Sequence, residues 1–241
     1  ALDVLEAIAA EGELTAPQLA ERLGLNSSTV HNIASTLAAR AYLVGDTGRY
    51  RIGPGAALLA GAWEPLVVLP RIAMPYLDAV VAATGESAVL TVLLGNTALM
   101  VAFTLGPGEV TAQFPRRDYP FPLTIATGRV LVAHGEQSRW PPIIARHRAS
   151  GPAPGDEALW TAGRWEEELR GIRDSGLAEF CRPGGVYAVG VPVRGPGGAA
   201  VIASLGVSCP SFRADEDHRA AMRSAVIRSA QELSASLAGP A

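Results

Sequence analysis

Short hydrogen-bonding side chains are concentrated in one stretch of the chain, and together they could contact DNA. They are Ser27, Ser28, Thr29, His31, Asn32 and Ser35. Such side chains hydrogen-bond to phosphates and to base edges, and a helix that presents them fits the major groove. For His31, an exposed position without a function is an equally good interpretation.

Two arginines that could contact phosphates or enter a minor groove follow this stretch. Arg49 and Arg51 lie in the second of two predicted strands, 42–44 and 49–52. The turn between the strands, 45–48, contains the Gly and Asp residues that hairpin turns favour. This hairpin is predicted to form a wing beside the polar helix.

Two predicted helices with a tight turn between them position these side chains. The first begins at Thr15, with Gln18 three residues later in the pattern of a capping box, and runs to about residue 22. Gly24 supports a turn, and the next helix begins at Asn26 or Ser27 and runs to about residue 40. This order of elements predicts a winged helix-turn-helix, with Thr15 included in its DNA-binding surface.

The composition predicts a globular protein of two domains. With 241 residues, 49% hydrophobic and 18% charged, the chain is predicted to be soluble and to form two domains, and it has no apolar run of membrane-spanning length. No secretory signal is recognised, and two cysteines are too few for a disulfide framework, so a cytoplasmic location is expected. No cofactor is predicted, and no metal site either, because no His or Cys residues have ligand spacing along the sequence. The net charge of −3 predicts weak non-specific affinity for DNA.

The rest of the chain predicts a second, α+β domain. Helices are predicted at 71–84 and at about 214–237, and apolar strands at 87–94, 98–105, 109–114, 186–193 and 199–208. Residues 123–132 are predicted to be a loop that feeds a helix, where free amides and the Thr127 hydroxyl could hold a ligand carboxylate. A plain capped helix is the simpler alternative there. Helices around a largely antiparallel sheet predict a pocket between sheet and helix.

Taken together, these residues resemble the isocitrate lyase regulator (IclR) family of bacterial transcription factors over essentially the whole chain. Residues 25–32 resemble the start of the family's recognition helix, and residues 49–53 the strand that closes its wing. Residues 126–129 resemble the turn of its effector pocket, and residues 185–193 and 205–210 two strands that line that pocket.

The resemblance implies a winged helix-turn-helix DNA-binding domain at 1–54, a linker helix that dimerises at 55–75, and a GAF-like effector-binding domain with an antiparallel sheet at 76–241. It implies a ligand-responsive regulator of transcription, such as a repressor, and not an enzyme. The regulator would act as a dimer or a dimer of dimers on a pseudo-palindromic operator in double-stranded DNA. The effector-binding positions that it implies are Ala126, Thr127, Gly128, Glu179, Cys181, Tyr187, Ala188, Gly206 and Ser208.

Three positions depart from the family pattern. Asn32 stands where the family usually has Arg, and Gly206 and Ala188 stand where it often has Ser and Cys. Fewer polar groups, with the Ser208 hydroxyl kept, favour an aromatic or medium-sized organic effector over a two- or three-carbon oxo-acid.

The residues themselves leave two alternative functions open. One is an enzyme or redox sensor built around Cys181, and the other is an interaction module whose winged helix no longer binds DNA.

Overall fold

The chain divides into two compact units, residues 1–69 and residues 70–241. The computed structural model describes residues 1–45, 48–61, 64–114, 117–151, 164–182 and 185–238. Among the helices of these residues, none is long and apolar enough to cross a lipid bilayer.

The N-terminal unit is built from short helices and a small sheet. Its elements are α1 (Leu2–Glu11), β1 (Leu14–Thr15), α2 (Ala16–Leu23), α3 (Ser27–Ala39), β2 (Leu43–Val44), β3 (Arg49–Ile52) and α4 (Pro54–Gly61). Leu19 of α2 and Val30 of α3 pack against Val4 and Ile8 of α1, and all four side chains are fully buried. This core fixes the angle at which α3 crosses the other helices. Residues 62–63 of the predicted linker helix, 55–75, lie outside the described residues.

The small sheet has the order β1-β3-β2 with antiparallel pairing throughout. The sequence pattern does not predict β1, because two residues carry too little periodicity to be recognised. β1 exists through its pairing, with Leu14 opposite Tyr50 and Thr15 opposite Arg49. The pairing holds the wing hairpin against the start of α2. Residues 46–47 of the predicted wing turn lie outside the described residues.

The C-terminal unit is organised around one six-stranded antiparallel sheet with the order β6-β5-β4-β9-β8-β7. The helices are α5 (Glu64–Thr84), within which the boundary between the units falls, α6 (Ala126–His134), α7 (Trp140–Ala149), α8 (Trp165–Ser175) and α9 (Glu216–Ala238). The strands are β4 (Ser87–Leu94), β5 (Thr97–Thr104), β6 (Asp118–Tyr119), β7 (Ala178–Cys181), β8 (Val186–Arg194) and β9 (Val201–Pro210). The predicted α+β fold is confirmed.

Helices cover both faces of the central strands. α6 packs on β4, β8 and β9, and α8 packs behind α6. α9 packs on β8 and β9 from the other side, where the Arg219 guanidinium lies 4.9 Å from the ring centroid of Tyr187. Because side chains alternate between the faces of a strand, neighbouring side chains of β8 and β9 point to opposite faces of the sheet.

The strand predicted at 109–114 is wrong. The structure describes all of these residues, and they form no strand. The edge of the sheet is formed by β6 instead, with Tyr119 opposite Ala98 and Asp118 opposite Leu99. The Phe114 ring packs edge-on against Phe103, 5.9 Å between ring centroids, so apolar contact with the sheet face replaces ladder hydrogen bonds for this segment.

Candidate DNA-binding surface and ligand cavity

The start of α2 is capped as the sequence predicts. The Thr15 hydroxyl accepts a hydrogen bond from the Gln18 amide at 3.4 Å, and the Gln18 side chain accepts one from the Thr15 amide at 2.8 Å. Gly24 ends α2 in the left-handed conformation at φ 63°, where glycine carries no penalty. The Thr15 hydroxyl is therefore used in holding the helix.

The start of α3 is capped by Asn26, whose side-chain oxygen accepts hydrogen bonds from the Thr29 amide at 2.7 Å and the Ser28 hydroxyl at 2.8 Å. Val30 and Ala34 form the buried side of α3. The opposite side is exposed and presents the polar residues Ser27, Ser28, His31, Asn32 and Ser35. Thr29 is half-buried beside them. One continuous polar surface on α3 is thus available to a groove of DNA.

The two wing arginines are held by one carboxylate. Arg49 Nη1 donates to Glu13 Oε1 at 2.9 Å, and Arg51 Nε lies 3.6 Å from Glu13 Oε2. Both arginine side chains remain about 60% exposed, at 63% and 61%. They can reach phosphates, but in the free protein Glu13 already balances part of their charge.

A cavity of about 220 Å³ lies in the C-terminal unit between the sheet and the start of α6. Its wall is largely apolar and aromatic and includes Val89, Met100, Phe114, Tyr119, Phe180 and Val186. Two guanidinium groups lie near the Phe180 ring, that of Arg182 at 4.7 Å and that of the buried Arg129 at 4.9 Å from the ring centroid. These cation–π contacts help to hold the Phe180 ring in the wall of the cavity.

Several polar groups line the cavity. Thr91 and Thr127 share a buried hydrogen bond of 2.9 Å between their hydroxyls. The Ser208 hydroxyl is buried and has no hydrogen-bond partner among the described residues. Arg182 adds a positive charge while donating to the carbonyl oxygen of Thr124. A ligand with an apolar body and an accepting or acidic end would satisfy these groups.

The first turn of α6 adds backbone donors. Its first intrahelical hydrogen bond runs from the Arg129 amide to the Ile125 carbonyl, and no side chain caps this helix start. The amides that precede this bond have no partner inside the helix, and Ala126 and Thr127, which carry two of them, line the cavity. The cavity therefore meets the positive end of a helix dipole.

Five of the nine predicted effector-binding residues line the cavity. They are Ala126, Thr127, Ala188, Gly206 and Ser208. Gly128, Glu179, Cys181 and Tyr187 do not. A Cβ atom on Gly128 would lie 2.1 Å from the Pro122 carbonyl oxygen, so this glycine lets the preceding turn pack closely.

The other three residues lie on the opposite face of the sheet, under α9. Cys181 pairs with Tyr187 across β7 and β8, so both point the same way. Glu179 is two residues from Cys181 and makes an ion pair of 3.2 Å with Arg223 of α9. Burial and the nearby Glu179 carboxylate raise the pKa of the Tyr187 hydroxyl. These side chains join the sheet to α9 and are not in the cavity.

Several cavity residues were not predicted from the sequence. Phe180 and Arg182 sit at alternate positions from Glu179 and Cys181, so a correct assignment of strand parity over 178–182 would have selected them. Phe114 and Tyr119 come from a loop and an edge strand. No local pattern identifies them, because only the fold brings them to the cavity.

Comparisons with known proteins agree with this architecture. The IclR helix-turn-helix domain matches residues 1–47, and the C-terminal domain of IclR bacterial transcriptional regulators matches residues 67–235. The chain is 31% identical over 242 residues to the HTH-type transcriptional regulator BhcR of Paracoccus denitrificans (strain Pd 1222), covering 99% of this chain and 86% of that protein.

Solved structures resemble the chain over nearly its whole length. A proposed IclR-type regulator from Silicibacter sp. TM1040 has a TM-score of 0.77 at 20% identity, covering 99% of this chain and 96% of that one. An IclR homologue from Microbacterium hydrocarbonoxydans, solved in complex with 4-hydroxybenzoate, has a TM-score of 0.73 at 22% identity, covering 97% of this chain and 99% of that one. At these identities the likeness shows a shared fold.

Proposed function

The chain belongs to the IclR family of bacterial transcriptional regulators, and from this premise we propose how it meets DNA and which class of effector it senses. Its helix-turn-helix is a DNA-binding domain, and its C-terminal domain is an effector domain. The proposal assigns base contacts to α3, phosphate contacts to the wing, and effector binding to the cavity beside α6.

The DNA-binding residues of this proposal are the polar positions of α3 and the two wing arginines. Ser27, Ser28, Thr29, His31, Asn32 and Ser35 would meet the major groove, and Arg49 and Arg51 the backbone. Thr15 would act through the amides of the helix start that it caps. Because α3 offers no cation, base contacts would give specificity and the wing would give much of the affinity.

The size and lining of the cavity carry the assignment of the effector class. Pockets for drug-sized ligands typically enclose about 300–1,000 Å³. An apolar cavity of about 150 Å³ holds benzene. The cavity here, about 220 Å³, therefore suits one ring with one or two substituents. A two- or three-carbon oxo-acid would leave its aromatic wall without contacts.

The polar groups of the cavity favour an effector with an acidic end. Arg182 and the first-turn amides of α6 can both receive a carboxylate, and Ser208 can serve a second polar group. The complex of the Microbacterium homologue with 4-hydroxybenzoate supports the same class of molecule. We assign a single-ring aromatic or alicyclic acid to this cavity.

In this proposal, the effector regulates operator binding through the two winged helix-turn-helix domains of one dimer. An effector shifts the protein toward the arrangement that it binds more tightly, and the difference in affinity sets the size of the shift. A change in the spacing of two winged helices alters their fit to the half-sites of a pseudo-palindromic operator. The exposed apolar side chains Leu58 and Leu59 of α4 support contact with a second copy of the chain.

Calorimetry with the full chain tests the effector class. The panel is benzoate, 4-hydroxybenzoate, cyclohexanecarboxylate, pyruvate and glyoxylate, and the ring acids are expected to bind. Phe180→Leu should weaken their binding by about tenfold, since lost aromatic contacts are worth on the order of 1 kcal/mol. Cys181→Ser, on the opposite face of the sheet, is the matched control and should bind like the wild type. Tight binding of the small oxo-acids alone would overturn the assignment.

A further inference from the structure

Three side chains that suit a transition metal meet under α9, on the face of the sheet opposite the cavity. Glu86 lies just before β4, Cys209 lies in β9, and His218 lies in the first turn of α9. Their ligand atoms all lie within 4.8 Å of one another. Glu86 and Cys209 are buried at 3% and 0% exposure, and the His218 side chain is 25% exposed. The sequence does not predict this cluster, because its three residues are far apart along the chain and form no metal-binding motif.

The geometry is close to what one ion requires. In a tetrahedral zinc site, with nitrogen and oxygen at about 2.0–2.2 Å and sulfur at about 2.3 Å, neighbouring ligand atoms lie about 3.3–3.7 Å apart. His218 Nε2 and Glu86 Oε1 are already 3.2 Å apart. The thiol lies within 4.8 Å of the other two ligand atoms, so it has to approach by no more than about 1.2 Å. We propose that Glu86, Cys209 and His218 form a binding site for a divalent transition metal, for which their thiolate, imidazole and carboxylate donors favour Zn²⁺.

Arg213 is the group that competes with a metal. It donates from Nε to Glu86 Oε1 at 2.8 Å and from Nη2 to Glu86 Oε2 at 2.7 Å. A metal needs one carboxylate oxygen, so Oε2 can keep its arginine while Oε1 turns to the ion. The Arg213 side chain is 32% exposed, so the guanidinium also has room to withdraw toward water. The carboxylate and the thiolate balance the ion's two positive charges when Arg213 withdraws, and they leave one net positive charge when it stays on Glu86.

Cobalt titration of the full, reduced and chelator-stripped chain tests the site. Co²⁺ is expected to bind one per chain with the near-ultraviolet thiolate charge-transfer band, and Zn²⁺ should displace it. Cys209→Ala should abolish that band. His218→Ala should weaken binding by at least about tenfold, because even the loss of a residue that only hydrogen-bonds to a metal ligand typically costs that much affinity. Cys181→Ser is the matched control, because it removes the thiol of the other, partly exposed cysteine, which is not a proposed ligand. This variant should bind Co²⁺ like the wild type.

Zinc-dependent thermal stability gives a second readout. Zn²⁺ should raise the melting temperature of the wild type and of Cys181→Ser, because a ligand stabilises the folded state that binds it. It should not raise that of folded Cys209→Ala, whose fold is checked by circular dichroism. The proposal is overturned by a wild type without the charge-transfer band, by a band that survives in Cys209→Ala, or by a band that is lost in Cys181→Ser.

Discussion

Glu13 is the residue through which the N-terminal unit limits the charge of its own wing. Its carboxylate holds Arg49 at 2.9 Å and lies 3.6 Å from Arg51. A DNA phosphate has to compete with that carboxylate for the same guanidinium groups. In the proposed complex with DNA, Glu13 would therefore lower the affinity for any sequence.

Glu13→Gln should raise affinity for all DNA sequences by about 1.4- to fivefold, since an exposed ion pair is worth roughly 0.2–1 kcal/mol. Fluorescence anisotropy with an operator fragment and a scrambled fragment measures the effect. Glu6→Gln is the matched control, because it removes the same charge from the exposed side of α1. Equal gains in both variants would assign the effect to net charge and not to the wing.

Arg49→Ala and Asn32→Ala should separate affinity from specificity. Arg49→Ala removes a phosphate contact, so binding should weaken to a similar extent on all sequences and the salt dependence should become shallower by about one unit. Asn32→Ala should chiefly relax discrimination, by about 1–3 kcal/mol at one base pair. Gel-shift assays on an operator selected from genomic DNA measure both. A uniform loss from Asn32→Ala would contradict its assignment to a base edge.

Only some residues of the candidate site can be predicted from the sequence, because the face to which each strand residue points must be known. Thr127 and Ser208 are predicted correctly as cavity-lining residues, because they belong to the sequence motifs that resemble the pocket. Cys181 and Tyr187 were placed in the cavity, but they face α9, and a one-residue change of parity moves every side chain of a strand to the other face. A short strand such as β7 does not carry enough alternation to settle its own parity.

At the scale of elements, the cavity depends on how closely α6 approaches the sheet. A Cβ atom on Gly206 would lie 2.5 Å from Thr127 Cγ2 and 2.9 Å from the Val189 carbonyl oxygen. A Cβ atom on Gly190 of β8 would likewise lie 2.8 Å from the Thr127 amide nitrogen. The absence of side chains at these two glycines lets the start of α6 rest on β8 and β9.

Gly206→Ala should push α6 away from the sheet. We expect a loss of roughly 1–3 kcal/mol in the free energy of unfolding, the usual cost of overpacking, and weaker effector binding. Urea denaturation and calorimetry measure the two effects. Gly171→Ala in α8 is the matched control, because its Cβ would meet nothing within 4 Å, and it should stabilise the helix by about 0.5–1 kcal/mol. An unchanged Gly206→Ala would mean that α6 adapts without cost.

The elements that were predicted correctly have local causes. The capping box at Thr15 starts α2, and the Gly95-Asn96 turn joins β4 to β5. The elements that were missed, β1, β6 and β7, have two to four residues each and exist only because a neighbouring strand pairs with them. Residues 109–114 are the converse case, since Ala112 and Phe114 line the cavity and the segment pairs with no strand.

At the scale of the whole molecule, α4 carries apolar side chains that its own chain leaves exposed. Leu58 is 77% exposed and Leu59 is 60% exposed. Two such neighbours on one short helix favour burial against another copy of the chain. We expect the intact protein to dimerise through this helix.

Leu58→Arg should weaken dimerisation by at least about tenfold, since burying a leucine is worth roughly 1.5–3 kcal/mol. Sedimentation velocity over a range of concentrations measures the association, and operator binding should become weaker in parallel. Leu2→Arg is the control, because Leu2 is 73% exposed on α1. A dimer that is unchanged by Leu58→Arg but lost in Leu2→Arg would place the interface elsewhere.

Side chains on the two faces of β9 make contacts with different parts of the molecule, so they can be substituted independently. Ser208 faces the cavity and the next residue, Cys209, faces α9, while their backbones share the same pairing with β8. A substitution of Ser208 would change the cavity wall, whereas a substitution of Cys209 would change the contacts beneath α9. A lineage of such regulators can therefore acquire a new ligand specificity without giving up the contacts on the far side of the strand.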